Sequence, residues 1–217
     1  MKIFDLNVEI VYKNIKNLHL KIEPTTGIIK ISAPHRLSLQ IIEDFIQSKL
    51  DWIGQHQPKP SKDYIDNETH LFNGQVYTLK LIENEHDIKI FSTDSEIILQ
   101  APPQTTAVER QYYLESWYQR QLHLKTDKLM SKWQEKMGVK IQKFSIRKMK
   151  TRWGSCTTNT QSIRINLELA KKCDACLEYV VVHELAHLLE PSHNHRFKSI
   201  MDTHLPFWRE LKAKLNA

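Results

Sequence analysis

"VVHELAHLLEPSHNH", residues Val181 to His195, sets four histidines and two glutamates into a short apolar run. Ionisable groups are costly to bury unless something pairs with them or neutralises them. The spacing suggests what that is. His183, Glu184 and His187 spell H-E-x-x-H, and on a helix the two imidazoles lie about 40° apart around the axis and one turn apart along it. Both can reach one ion, with Glu184 at the edge of the same face. There it can address a water molecule without ligating the metal, the arrangement of zinc hydrolases. Val180, Val181, Val182, Leu185, Ala186, Leu188 and Leu189 around them are core-type residues. A metal would relieve the desolvation problem, whereas the alternative is core histidines bonded to backbone carbonyls.

A catalytic zinc usually takes three protein ligands and keeps one open position. Glu190 shares the helical stripe, but seven residues from His183 is about 10 Å of rise, too far to converge on an ion about 2 Å from each ligand. The third ligand is therefore expected beyond the bend at Pro191, which should end the helix close to Glu190. His193 and His195 qualify by position, and His204 is a remoter candidate.

Working outward, a helix from about Lys171 is preceded by two strand-like runs, "KIQKFSIRKMK" (140–150) and "SIRINLEL" (162–169), around the polar turn "TRWGSCTTNTQ". Beyond Pro191, Ser192 is expected to cap a short helix through Met201, and a last amphipathic piece runs from Pro206. Upstream, "VEIVY" (8–12), "LHLKIE" (18–23) and "GIIKIS" (27–32) read as strands, followed by one helix from Leu39 to about His56 with Ser38 as N-cap. "QPKPSKDYIDNE" (57–68) reads as a linker. Strands at 76–82, 88–91 and 96–100 lead into a long helix ending at Met137, with Gly138 as C-cap. The class is α+β: a β-rich N-terminal half with helices (1–105), then a C-terminal half carrying the H-E-x-x-H helix (106–217), together one integrated unit.

The 217 residues suffice for a real core, and 41% hydrophobic with 26% charged residues argues against disorder. The net charge of +6 suits an anionic partner, nucleotide or nucleic acid, and the basic residues between Lys140 and Lys172 add to that case. No run is long enough to span a bilayer, the opening stretch has no apolar h-region, and three cysteines make no complete disulfide framework. The expectation is a cytoplasmic protein with no membrane partner. Cys173 and Cys176 form a lone C-x-x-C outside any evident βαβ pattern and read as incidental to a helix start.

"YVVVHELAHLLEPSHNHRF", together with "TRWGSC", "IRINLELA" and "KISAPHRLS", resembles the YgjP-like metallopeptidases, relatives of the SprT-like and WLM zincins. The resemblance covers most of the chain. It implies His183, His187 and His193 as metal ligands and Glu184 as catalytic acid/base, with His195 departing from the pattern. It also implies that Arg152, Trp153, Gly154, Ser155 and Cys156 sit near the metal cleft, where a peptide could add along a sheet edge.

From the residues themselves, Gly154 is expected to permit an unusual turn angle, Asn166 to support the active-site helix, and Cys156 to be a candidate fourth ligand or redox switch. Arg152, Arg196 and Tyr179 are candidates for stabilising an oxyanion. The leading function is a zinc-dependent hydrolase, a metallopeptidase acting on peptide or protein, although imidazoles would also take nickel. The alternatives are a metal-dependent nucleotide or phosphoanhydride hydrolase, and a non-catalytic zinc-containing module associated with nucleic acid.

Overall fold

The computed structural model describes residues 2–4, 6–23, 27–56, 64–85 and 87–216, so residues 57–63 of the expected linker lie outside it. The chain forms two compact units interleaved in sequence: Met1–Ile65, Glu83–Asp87 and Ala101–Tyr113 in one, Asp66–Ile82, Ile88–Gln100 and Leu114–Ala217 in the other.

In the first unit, β1 (Lys2–Ile3), β2 (Leu6–Lys13), β3 (His19–Ile22) and β4 (Ile29–Pro34) make one sheet in the order β1-β2-β4-β3. The β2–β4 pair is parallel and the other two are antiparallel. Ile29, Ile31 and Ala33 alternate inward along β4 and are fully buried, sharing a core with Ile42, Ile46 and Ile53. The helix expected over 39–56 is two helices, α1 (Leu39–Gln47) and α2 (Leu50–His56). Ser48 causes the break. Its hydroxyl donates to Phe45 O (2.7 Å), and the Lys49 amide turns to Ile46 O (2.9 Å). Ser38 does stand at the N-cap, but its side chain makes no capping bond.

In the second unit, β5 (Thr69–Phe72), β6 (Gln75–Glu83), β7 (Lys89–Ser92) and β8 (Glu96–Ala101) form a sheet in the order β5-β6-β8-β7. The β5–β6 hairpin turns at Asn73-Gly74, both at positive φ (54° and 77°), the dipeptide signal of a two-residue hairpin. Helix α3 (Ala107–Met137) starts in the first unit and enters the second at Leu114, where it buries Leu114, Tyr118, Leu122, Thr126, Met130, Trp133 and Met137 down one stripe, and Gly138 follows it at φ 64°. Its exposed flank ties down the chain beyond it, because Lys125 Nζ reaches both Asn73 Oδ1 and Asp174 Oδ1 (2.6 Å each).

A third sheet holds β9 (Lys143–Arg147), β10 (Gly154–Thr157) and β11 (Ser162–Asn166) in the order β10-β11-β9, with β11 parallel to β9 and antiparallel to β10. The sequence places a turn at 151–161. Instead Gly154–Thr157 is an edge strand, and the reversal falls at Thr158–Gln161, with Gln161 at φ 45°. A buried helix α4 (Asp174–Ala186) follows, then α5 (His195–His204) and α6 (Trp208–Asn216). The basic run at 140–172 makes no continuous stripe, as Lys148 pairs with Glu115 (2.6 Å) and Lys171 with Glu168 (2.7 Å).

Candidate metal centre

Helix α4 is apolar on nearly every side: Leu177, Tyr179, Val180, Val181, Val182, Leu185 and Ala186 are all buried. It stops at Ala186, four residues before the expected end, and His187 takes the C-cap position. The chain then tightens through Leu188 N→Leu185 O (3.0 Å) and Leu189 N→Ala186 O (3.0 Å), the usual way of serving a helix's last carbonyls. Past Pro191, the Glu190 carboxylate accepts from Ser192 N (3.2 Å) and Ser192 Oγ (2.8 Å). Ser192 is thus occupied with the bend, and Asn194 caps α5 in its place, accepting from Phe197 N (3.1 Å).

His193 is held between these two pinned ends and folds back over α4. Its Nε2 lies 3.0 Å from His183 Nε2. The ring centroids of His183, His187 and His193 are 4.9, 4.9 and 4.7 Å apart, nearly an equilateral triangle. Phe197, almost fully buried, packs against all three rings at 4.7–5.0 Å. It lies four residues after His193 and carries no signal of its own in the sequence.

Among the described residues these three histidines are the one cluster of His, Cys, Asp or Glu able to hold a metal, each offering a ligand atom within 4.8 Å of the others. Burial, then the neighbouring His187, His193 and Lys212, push His183 down to about 3, so its ring is neutral. Burial lowers His187 as well, against the pull of the Glu190 carbonyl 3.3 Å from its Nδ1. That contact puts the proton on Nδ1 and leaves Nε2 with a lone pair, as metal-binding histidines require.

Glu184 is buried, and burial raises its carboxyl to about 8 against the opposing charge of Arg152. It faces β10. A Cβ on Gly154 would lie 2.5 Å from Glu184 Oε1 and 2.8 Å from its Cγ, so glycine is there to admit the carboxylate. The expected unusual backbone angle is absent, because Gly154 is not among the positive-φ glycines.

A cavity of ≈780 Å³ opens over these residues, lined by Arg152, Trp153, Gly154, Ser155 and Cys156 as well as the three histidines and Glu184. Cys156 is not in the ligand cluster. Burial and the nearby Glu184 push its thiol up to about 11, so it remains protonated. Asn166 lies off the cavity, and its side-chain hydrogen bonds go to the neighbouring loop. Its buried amide staples the loop before β10, donating to Met149 O (3.0 Å) and Arg152 O (2.8 Å) and accepting from Met149 N and Glu168 N (3.2 Å each).

Of the oxyanion candidates, Arg152 and Tyr179 line the cavity, whereas Arg196 does not. Burial and Glu184 lift the Tyr179 phenol to about 12, so it stays a donor. His195 opens α5 outside the triad, and His204 packs edge-on against Trp133. The far wall comes from α6, through Trp208, Lys212, Leu215 and Asn216. Asn216 Oδ1 accepts from Trp153 Nε1 (3.1 Å), a closure the sequence did not signal.

The model of the YgjP-like metallopeptidase domain matches residues 16–217. The chain belongs to the YgjP-like metallopeptidase family. It is accordingly a metal-dependent hydrolase of the peptidase class, and the family implies a divalent metal and a peptide or protein substrate. Two solved structures resemble part of this YgjP-like chain. The metallopeptidase zymogen abylysin of Pyrococcus abyssi is 18% identical, with 42% of this chain and 90% of that chain covered at a TM-score of 0.39. The zymogen jannalysin of Methanocaldococcus jannaschii is 21% identical over 42% and 92%, at 0.37. No curated protein matches the chain significantly. Among the described residues no helix is long and apolar enough to cross a membrane.

Proposed function

We propose that this YgjP-like peptidase holds one zinc ion on His183, His187 and His193 and hydrolyses peptide bonds with Glu184 as general base. The observation that carries the reading is the convergence of three imidazoles, with ligand atoms within 4.8 Å of one another, beside the buried Glu184 carboxyl group. Tetrahedral zinc at 2.0–2.1 Å from each nitrogen separates its ligand atoms by roughly 3.3 Å. The 3.0 Å between His183 and His193 Nε2 is close to that. When bound, zinc would polarise the scissile carbonyl and make water a better nucleophile at neutral pH.

The chain's own residues do the rest. Glu184, whose ionised form a cation held on the three histidines would favour, takes the proton from the attacking water and passes it to the leaving amine. Tyr179 and Arg152 supply donors where negative charge develops on the carbonyl oxygen. The edge of β10 offers backbone groups to an extended peptide. All these residues fall within 106–217, which we assign as the zincin-like catalytic region. The cytoplasm is the compartment that suits the three free thiols.

Metal analysis of the purified chain should find about one zinc per molecule. Glu184→Gln should keep the metal and lose on the order of 10²–10⁴ in turnover of a fluorogenic peptide library. His193→Ala should lose both metal and turnover. A fully active Glu184→Gln protein refutes this mechanism. Three cations line the cavity, Arg152, Lys198 and Lys212, and they favour substrates bearing negative charge. A nucleotide panel run beside the peptides therefore tests the phosphoanhydride alternative.

A further inference from the structure

Cys173 and Cys176 take no part in the site described above. Cys173 is the N-cap of α4 and Cys176 the third residue of its first turn. N-cap and N3 residues are neighbours at the start of a helix: in a capping box each side chain reaches the other residue's backbone N–H. Here the two Sγ atoms are 3.2 Å apart, with Cys176 N bonded to Cys173 O at 2.9 Å. A disulfide needs about 2.05 Å between sulfurs, so side-chain rotation of about 1 Å closes the gap.

The surroundings hold Cys173 in place. The hairpin tip packs on it so closely that a Cβ at Gly74 would lie 3.0 Å from Cys173 Cβ. The same tip bonds the chain just before it, through Asn73 N→Ala170 O (3.0 Å) and Gly74 N→Lys171 O (3.1 Å). Cys173 is partly exposed and Cys176 buried. We propose that Cys173 and Cys176 are a redox-active dithiol, a site of reversible disulfide exchange with low-molecular-weight disulfides.

The two thiols are unequal in the way such exchange requires. Burial pulls Cys173 up, but its contact with Cys176 and the Lys214 ammonium outweigh that and bring it below its ordinary value. Cys176 is pushed up to about 11 by burial and by Cys173, against Lys214 and Lys172. Cys173 is thus the attacking group and Cys176 the resolving one. The Cys173 thiolate attacks one sulfur of R–S–S–R, forming Cys173–S–S–R and releasing R–S⁻, which takes up a proton. Cys176 then loses its proton to solvent and attacks Cys173 Sγ, expelling the second R–S⁻. Two cysteine thiols are oxidised to one disulfide, and the external disulfide is reduced to two thiols.

The test treats the reduced full-length chain with oxidised glutathione, alkylates it at intervals and maps it by mass spectrometry. The expected end state has one alkylated cysteine, Cys156, and a peptide spanning 173 and 176 that has lost two hydrogens. It should revert fully with dithiothreitol. Cys176→Ser should instead accumulate glutathione on Cys173. Before oxidation, Cys173 should alkylate at least about tenfold faster than Cys156 near neutral pH. Three alkylatable thiols persisting in excess oxidised glutathione would overturn the proposal. So would a wild-type chain that stops at the mixed disulfide, or first reaction at Cys156. The wild-type peptide map decides the matter even should Cys176→Ser fail to fold.

Discussion

Replacing Gly154 with Ala tests how the Glu184 carboxylate is aimed. The added Cβ would stand 2.5 Å from Oε1, 2.8 Å from Cγ and 2.9 Å from Cδ of Glu184. Carbon and oxygen in ordinary contact need about 3.4 Å, so the carboxylate must retreat by roughly 0.9 Å or β10 must bend away. Glu184 is only 5% exposed, which leaves it little room to retreat. Displacing a catalytic group by about 1 Å costs on the order of 10²-fold in rate, about 2.7 kcal/mol of barrier. Overpacking adds about 1–3 kcal/mol of lost stability, a melting shift of several degrees.

The assay compares kcat, KM, zinc content and melting temperature of Gly154→Ala and wild type on one fluorogenic peptide. The expected result is kcat down about 100-fold with KM and zinc nearly unchanged, because the three nearest atoms to the new methyl all belong to Glu184. A kcat within twofold of wild type would refute the reasoning. Either the strand yields freely, or Glu184 does not need that position.

Asn166→Ala should lower the unfolding free energy by about 2 kcal/mol in urea titration, since it strips part-buried backbone groups of Met149, Arg152 and Glu168 of their partner. A loss under about 0.5 kcal/mol would mean the loop is held by other contacts. Glu178 accepts from Lys132 Nζ (2.7 Å) and Trp133 Nε1 (2.9 Å), and although burial pulls its carboxyl up, these bonds and charges hold it below its ordinary 4.5. Its contribution is present above that value and lost as pH falls through the lower folded one. Glu178→Gln should therefore cost about 0.5–1 kcal/mol at pH 7, discounted for partial exposure, and the difference from wild type should vanish in acid.

Local periodicity made much of the secondary structure legible. The apolar spacing of α3, the alternation in β4 and β8 and the positive-φ Gly138 are properties of a few neighbouring residues. Where it failed, a competing local bond or an unread turn signal was responsible. The Ser48 hydroxyl takes a carbonyl that a continuous helix would have used. Asn73-Gly74 is a hairpin signal, and weighing it would have revealed β5. At 151–161 the polar composition reads as a turn, yet Gly154–Thr157 becomes a strand because β11 offers it a pairing edge.

The sequence by itself determined that His183, Glu184 and His187 share one side of a helix, because helix pitch follows from backbone geometry and spacing alone. Only the tertiary structure decided which later histidine comes back to them. Glu190 and Asn194 pin the two ends of the bend, so His193 swings over His183 and His195 is carried off into α5. It also decided what Gly154 is for, since its partner lies 30 residues away on another element. A local code can specify pitch and turns. Contact between distant residues depends on how the elements pack, and it is packing that sets the carboxylate, the third imidazole and the wall from α6 around one cavity.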